Sequence, residues 1–93
     1  MDILNREAIT AFTRKHPLSR KPLSCWLDIP SAAVWKRVID VQRDFSAAKD
    51  VEGYVVFNIH GNYYRLIAVI RYERQQVLIH EVLTHSDYDR WKP

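Results

Sequence analysis

Two short stretches carry residues that a hydrophobic core does not need. "FNIHGNYYRL", Phe57 to Leu66, sets Asn58, His60 and Arg65 into a run that is otherwise apolar and aromatic. "THSDYD", Thr84 to Asp89, sets His85 and Tyr88 well downstream of it. Histidine gives or takes a proton near neutral pH. Arginine keeps its charge and grips a phosphate through two parallel hydrogen bonds. A tyrosine hydroxyl donates to an oxygen, and its ring stacks on a base. Asparagine adds a neutral hydrogen-bonding group. If the fold gathers these side chains, the chemistry on offer is proton transfer at a bound phosphate.

The elements that must position them are readable from periodicity. "YVVFNIH", "YYRLIAVIRY" and "QVLIHEVLTH" are strand-like runs rich in β-branched and aromatic residues. Gly61-Asn62 suits a two-residue hairpin turn between the first two. That turn places His60 opposite Tyr63, Asn58 opposite Arg65 and Val56 opposite Ile67. By strand alternation, Asn58, His60, Arg65, Ile67, Val69 and Arg71 share one side, expected to be open. Phe57, Ile59, Tyr64, Leu66, Ala68 and Ile70 share the other, expected to meet helices. The "ERQ" loop leaves the third strand's register undetermined. One choice puts Thr84 beside Arg65, the next puts His85 there, and both bring His85 and Tyr88 near Arg65 and Asn58.

Upstream, the spacing predicts helices. Residues 5–15 form the first, capped by Asn5, with Ala8, Ile9 and Phe12 inward. Ile3 and Leu4 before it are a short strand or a hydrophobic staple. A second helix begins after Ser19 with Leu23, Trp26 and Leu27 inward, and "DIP", Asp28–Pro30, breaks or kinks it. Ser31 caps a third running to about Phe45, with Trp35, Val38, Ile39 and Gln42 inward. "SAAKDVEG", Ser46 to Gly53, is a loop. The class is α+β: N-terminal helices on one face of a small antiparallel sheet, followed by a short C-terminal helical turn.

A chain of 93 residues suffices for one domain, residues 1–93, with one core. The net charge of +3 permits a polyanionic partner without requiring one. Cys25 is alone, which excludes a disulfide within the monomer, fits a reducing compartment, and reads as a buried small hydrophobe. No apolar run reaches bilayer length and the start lacks signal-peptide features, so the chain reads as soluble and cytoplasmic, with no membrane partner.

The segment Val56 to Asp89 resembles the HigB-type toxins of bacterial toxin–antitoxin modules, within the RelE-like group of ribonucleases. The resemblance rests on the "VFNI-GN-YRL" hairpin followed by "THxxYD". "PLSCWL" and "AAVW", with Trp26 and Trp35, resemble the family's helical half. It implies a RelE-like fold, endonucleolytic cleavage of messenger RNA, often on the translating ribosome, and a HigA-like helix-turn-helix antitoxin. Operator DNA would be bound only through the antitoxin complex. The family's site residues map onto Asn58, Arg65, His85, Tyr88 and Asp89.

Under that resemblance the residues acquire roles. RNA supplies its own nucleophile, the 2′-oxygen, so cleavage needs a base, an acid and positive charge for the phosphorane. His85 is the base or acid, Arg65 stabilises the transition state, and Tyr88 orients the nucleotide or assists proton transfer. Asn58, His60, Arg71, Lys36 and Arg37 are candidate RNA contacts. Products would be a 2′,3′-cyclic phosphate and a 5′-hydroxyl, with no cofactor. The plainer readings are that Asn58 shapes a strand edge, Arg65 lies over Tyr63 or Tyr88, Ser86 and Asp89 form a capping box, and Lys36 and Arg37 are a solvated helix face. A non-catalytic RNA- or protein-binding module is the alternative function. No metal site is expected: His80 and His85 fall on opposite faces of one strand, and no metal-binding motif occurs.

Overall fold

Strand alternation over Tyr54–Ile59 (β3) and Tyr64–Arg71 (β4) builds the central hairpin of a computed structural model that describes all residues from Met1 to Pro93. Gln76–Thr84 (β5) extends it, and two three-residue strands, Asp2–Leu4 (β1) and Lys49–Val51 (β2), close the edges. The sheet order is β1-β5-β4-β3-β2, with β1 parallel to β5 and all other neighbours antiparallel. Edges this short offer little unpaired backbone to another chain.

The hairpin register is the expected one: Asn58 opposes Arg65 and Val56 opposes Ile67. Phe57, Ile59, Leu66, Ala68 and Ile70 join Ile9, Leu23 and Trp26 in the main core, so the helices lie on that face. Phe57 is its centre. Its ring meets Trp26 edge-on at 5.2 Å and Phe45 at 5.1 Å, and stacks near Trp35 at 6.5 Å. Such aromatic pairs add about 0.5–1.5 kcal/mol each beyond burial.

The helical half departs from the spacing-based reading in four places. Helix α1 spans Glu7–Lys15, and Asn5 does not cap it. Asn5 takes a left-handed φ of 65°, and its Nδ2 donates to the Ile79 carbonyl at 2.8 Å, pinning the β1–α1 turn to β5. Helix α2, Arg20–Ala32, runs through Pro30. Pro30 sits in the last turn, where the helix is ending, and the Met1 amino group donates to the carbonyls of Pro30 and Ala33. Helix α3 is only Val38–Asp44. Trp35 is buried from the extended segment before it, Val41 faces inward, and Ile39 and Gln42 face solvent. The 46–53 segment is not all loop, because β2 pairs with β3 there.

Cys25 is exposed rather than buried. The stripe of α2 that docks on the sheet is Leu23, Trp26 and Pro30, and position 25 falls outside it. The thiol edges a shallow cleft of about 270 Å³ between α2 and the end of β3.

The second sheet face is not open throughout. Val56 and Ile67 are fully buried although they point away from the helices. Helix α4, His85–Asp89, and the residues after it lie over this face. Trp91 meets Tyr54 edge-on at 5.4 Å and stacks on Tyr88 at 6.0 Å. The chain's end therefore forms a second, smaller apolar layer.

Candidate active site

Neither expected register of β5 is the one adopted. Leu83 opposes Arg65, and Thr84 opposes Tyr64. The pairing steps from Ile67–Glu81 to Ala68–Ile79, which leaves His80 as the extra residue of a bulge. The Arg71–Gln76 closure of the β4–β5 turn sets an offset that alone would put Val82 opposite Arg65, and the bulge moves the partner by one residue, to Leu83. The bulge also voids the opposite-face argument for His80 and His85. His80 lies against Tyr54, 5.0 Å between rings, while His85 has already left the strand and begins α4.

Thr84 is what starts α4. Its hydroxyl accepts from the Asp87 backbone N–H at 3.2 Å. The capping frame is thus Thr84-x-x-Asp87, two residues ahead of the Ser86–Asp89 frame expected from spacing. The shift frees Asp89. Its Oδ2 lies 3.7 Å from His85 Nε2. The backbone N–H of His85 donates to the Tyr63 carbonyl at 2.9 Å, which ties the helix start to the β3–β4 loop.

Arg65 is only 7% exposed, unusual for a guanidinium. It donates to the Tyr64 carbonyl at 3.0 Å, to Asn62 Oδ1 at 3.4 Å and to His85 Nδ1 at 3.2 Å. Its guanidinium carbon lies 5.7 Å from the Tyr88 ring centre. All these partners are uncharged acceptors or a ring face. The ion pairs of the molecule are Arg43–Asp40 and Arg90–Asp87, joined by His85–Asp89 only when that imidazole is protonated, and Arg65 is in none of them. A buried positive charge without a carboxylate is costly to hold, and an anion entering from solvent would complete it.

The contact also sets the histidine's hydrogen-bonding state. A guanidinium has donors only, so a hydrogen bond across this contact requires the neutral tautomer in which Nδ1 of His85 accepts and Nε2, toward Asp89, carries the hydrogen. The site therefore holds a buried guanidinium over the Tyr88 ring, an imidazole against it and a carboxylate 3.7 Å from that imidazole. That set can bind a phosphodiester and move protons at it.

The other sequence-derived candidates are spread out. Asn58 is exposed opposite Arg65, at the border of the Ser46–Ala48 loop. His60 leaves its expected side. Its φ is 53°, and its ring stacks toward Tyr63 and Tyr64 instead of Arg65. Arg71 ends β4, six residues from Arg65, or about 20 Å along the strand. Lys36 and Arg37 are exposed near that distant end, since the Trp35 carbonyl accepts from Gln75 Nε2 at 2.7 Å. Their backbone N–H groups donate to Asp40 at 2.8 and 3.2 Å. The Lys36 hydrogen bond foremost, helped by that of Arg37 and by the Arg43 charge, holds the Asp40 carboxyl below its ordinary range. Nearby, burial and then the Asp50 and Asp40 charges push the Tyr72 phenol up. No group of three or more metal-ligating side chains converges anywhere.

Sequence reasoning missed Asn62, Tyr63 and Thr84 as parts of this site. The Thr84-x-x-Asp87 spacing was present as a signal for the last. Nothing local marks Asn62 as a guanidinium partner.

The family model described as HigB toxin, RelE-like toxic component of a toxin–antitoxin system, matches residues 19–91. The chain is also similar to the mRNA interferase toxin HigB of Escherichia coli (strain K12), with 26% identity over 92 residues, covering 96% of this chain and 88% of that protein. The same identity and coverage hold for proteins called mRNA interferase HigB in Escherichia coli O157:H7 and in Shigella flexneri. The matched span takes in α2, the whole β3–β5 unit and the α4 turn that carries His85 and Tyr88, and on that ground this chain belongs to the HigB toxin family.

Proposed function

We propose that the chain, acting as one domain over residues 1–93, is the toxin of a type II toxin–antitoxin module and a metal-independent endoribonuclease. Its substrate would be messenger RNA on the translating ribosome. A HigA-like helix-turn-helix antitoxin would neutralise it, with operator DNA reached only through that complex, and both would work in the cytoplasm. The mRNA interferase names of the relatives support the substrate class. No helix is long and apolar enough to cross a membrane.

One observation carries the reading: a buried guanidinium without a carboxylate, 3.2 Å from an accepting imidazole nitrogen. In the proposed reaction the scissile phosphate takes the Arg65 donors, which releases Nδ1 of His85. His85 then removes the 2′-hydroxyl proton, and Asp89 faces the imidazolium that forms. The 2′-oxygen bonds to phosphorus, and the bond from phosphorus to the 5′-oxygen breaks. Tyr88 gives the leaving oxygen its proton, and the imidazolium's proton returns to the phenolate through solvent. The products are a 2′,3′-cyclic phosphate and a 5′-hydroxyl. Asn58 contacts the ribose–phosphate chain nearby, and Arg71, Lys36 and Arg37 bear on RNA farther along.

The test is to induce the protein in growing bacteria and map transcript 5′-ends. New internal 5′-hydroxyl ends that disappear with His85→Ala support cleavage. Losing one proton-transfer group should slow the reaction about 10²–10⁴-fold. Growth arrest without new ends would favour a non-catalytic binder instead.

A further inference from the structure

The β3–β4 loop, His60 to Tyr63, is built around aromatic rings that the proposed chemistry does not use. Tyr63 is 66% exposed. It is nevertheless backed: the His60 ring lies 5.0 Å away and only 25° off parallel. His60 stacks in turn toward Tyr64, at 6.5 Å and 28°. Tyr64 is anchored in the fold, edge-on to Phe12 at 5.4 Å. The exposed ring thus stands at the end of a series of rings rooted in helix α1. A large apolar ring left in water gains nothing for folding, and His60 holds a left-handed φ to support it.

The loop is also wired to the buried guanidinium. Asn62, the residue before Tyr63, accepts from Arg65 Nη2, and the Tyr63 carbonyl accepts from the His85 N–H. The loop that carries the Tyr63 ring is therefore tied through Asn62 and its backbone to the Arg65 site, while the ring itself packs with His60 and Tyr64. His16, just after α1, joins the same series, 4.4 Å from Phe12 and 6.1 Å from Tyr64.

We propose that the Tyr63 ring, backed by His60, is a stacking platform for an unpaired nucleobase beside the phosphate bound at Arg65. The inference rests on the ribonuclease reading, and it names a base-binding position for that site. Every base has a π-face, so the platform tolerates different bases and holds the strand in line rather than choosing a sequence.

The test uses purified protein and a short single-stranded RNA that carries 2-aminopurine, with 2′-O-methyl riboses to block cleavage. Binding should quench the probe at one position, and Tyr63→Ala should abolish that quench and weaken binding roughly 5- to 150-fold, as expected for losing one base stack. Tyr63→Phe and Tyr63→Trp should retain both. His60→Ala should reduce the quench while His60→Phe keeps it. In cleavage of messenger RNA on translating ribosomes, Tyr63→Ala should raise KM more than it lowers kcat. Unchanged RNA binding and an unchanged quench with Tyr63→Ala would overturn the proposal, as would a loss confined to binding of the antitoxin. These readouts do not need turnover. A wild-type protein that quenches through Tyr63 yet creates no new transcript ends when induced in growing bacteria would leave the platform standing and remove the cleavage reading instead.

Discussion

Nη2 of Arg65 lies 3.2 Å from Nδ1 of His85, and each group occupies what the other would offer a substrate. The guanidinium is buried without a carboxylate, and the imidazole has its accepting nitrogen engaged. In the proposed reaction an incoming phosphate would separate the pair.

In the proposed reaction Arg65 is a charge kept for the substrate at some expense to the fold. Arg65→Met should therefore abolish RNA cleavage while leaving the unfolding free energy unchanged or raised by on the order of 1 kcal/mol. Urea denaturation beside a cleavage assay reads both. A loss of about 3 kcal/mol or more would identify the guanidinium as a structural group instead.

Tyr88 offers a ring and a hydroxyl, and the two are separable. Tyr88→Phe keeps the ring against Trp91 and beneath Arg65, so stability should stay within about 0.5 kcal/mol of wild type. Single-turnover cleavage should nonetheless slow by about 10²-fold or more if the hydroxyl supplies a proton. An unchanged rate would reduce Tyr88 to a stacking role.

Phe57 is fully buried and touches both core tryptophans as well as Phe45. Phe57→Ala should cost about 3–5 kcal/mol. Small domains have only about 5–15 kcal/mol in total, so the variant should lose most of its cooperative thermal transition. Circular dichroism melts would show it.

Tyr72 links stability to alkaline pH. Burial, then Asp50 and Asp40, disfavours its phenolate in the folded state, so the folded phenol holds its proton above the ordinary value of 10.0. The unfolded chain loses that proton first. Its contribution is present in full below pH 10.0 and is lost as pH rises through the folded value. Urea midpoints of wild type and Tyr72→Phe should therefore separate as pH climbs past that point, with the wild type falling faster. Parallel curves would contradict this.

Much of the architecture follows from local pattern. Alternation in Tyr54–Arg71 and a short loop at Gly61 are enough to set Asn58 opposite Arg65, because both act over a few residues. The same holds for Leu23 and Trp26 facing inward, and for a helical turn at the chain's end. Arg65 lying over Tyr88 was readable as one of two aromatic choices. The bulge at His80 was not, since nothing in "QVLIHEVLTH" distinguishes a bulged residue from a paired one.

The composition of the site and the sidedness of the central hairpin are legible along the chain, because side-chain chemistry is intrinsic and strand alternation is local. Tertiary structure decided which of those residues meet. The β5 bulge and the Thr84 cap turn His85 back onto Arg65, and Trp91 packs the chain's end against Tyr54. The left-handed His60 swings its ring into the stack behind Tyr63. Each is a contact between residues distant in sequence, or a backbone choice stabilised by such contacts, and no local period encodes it.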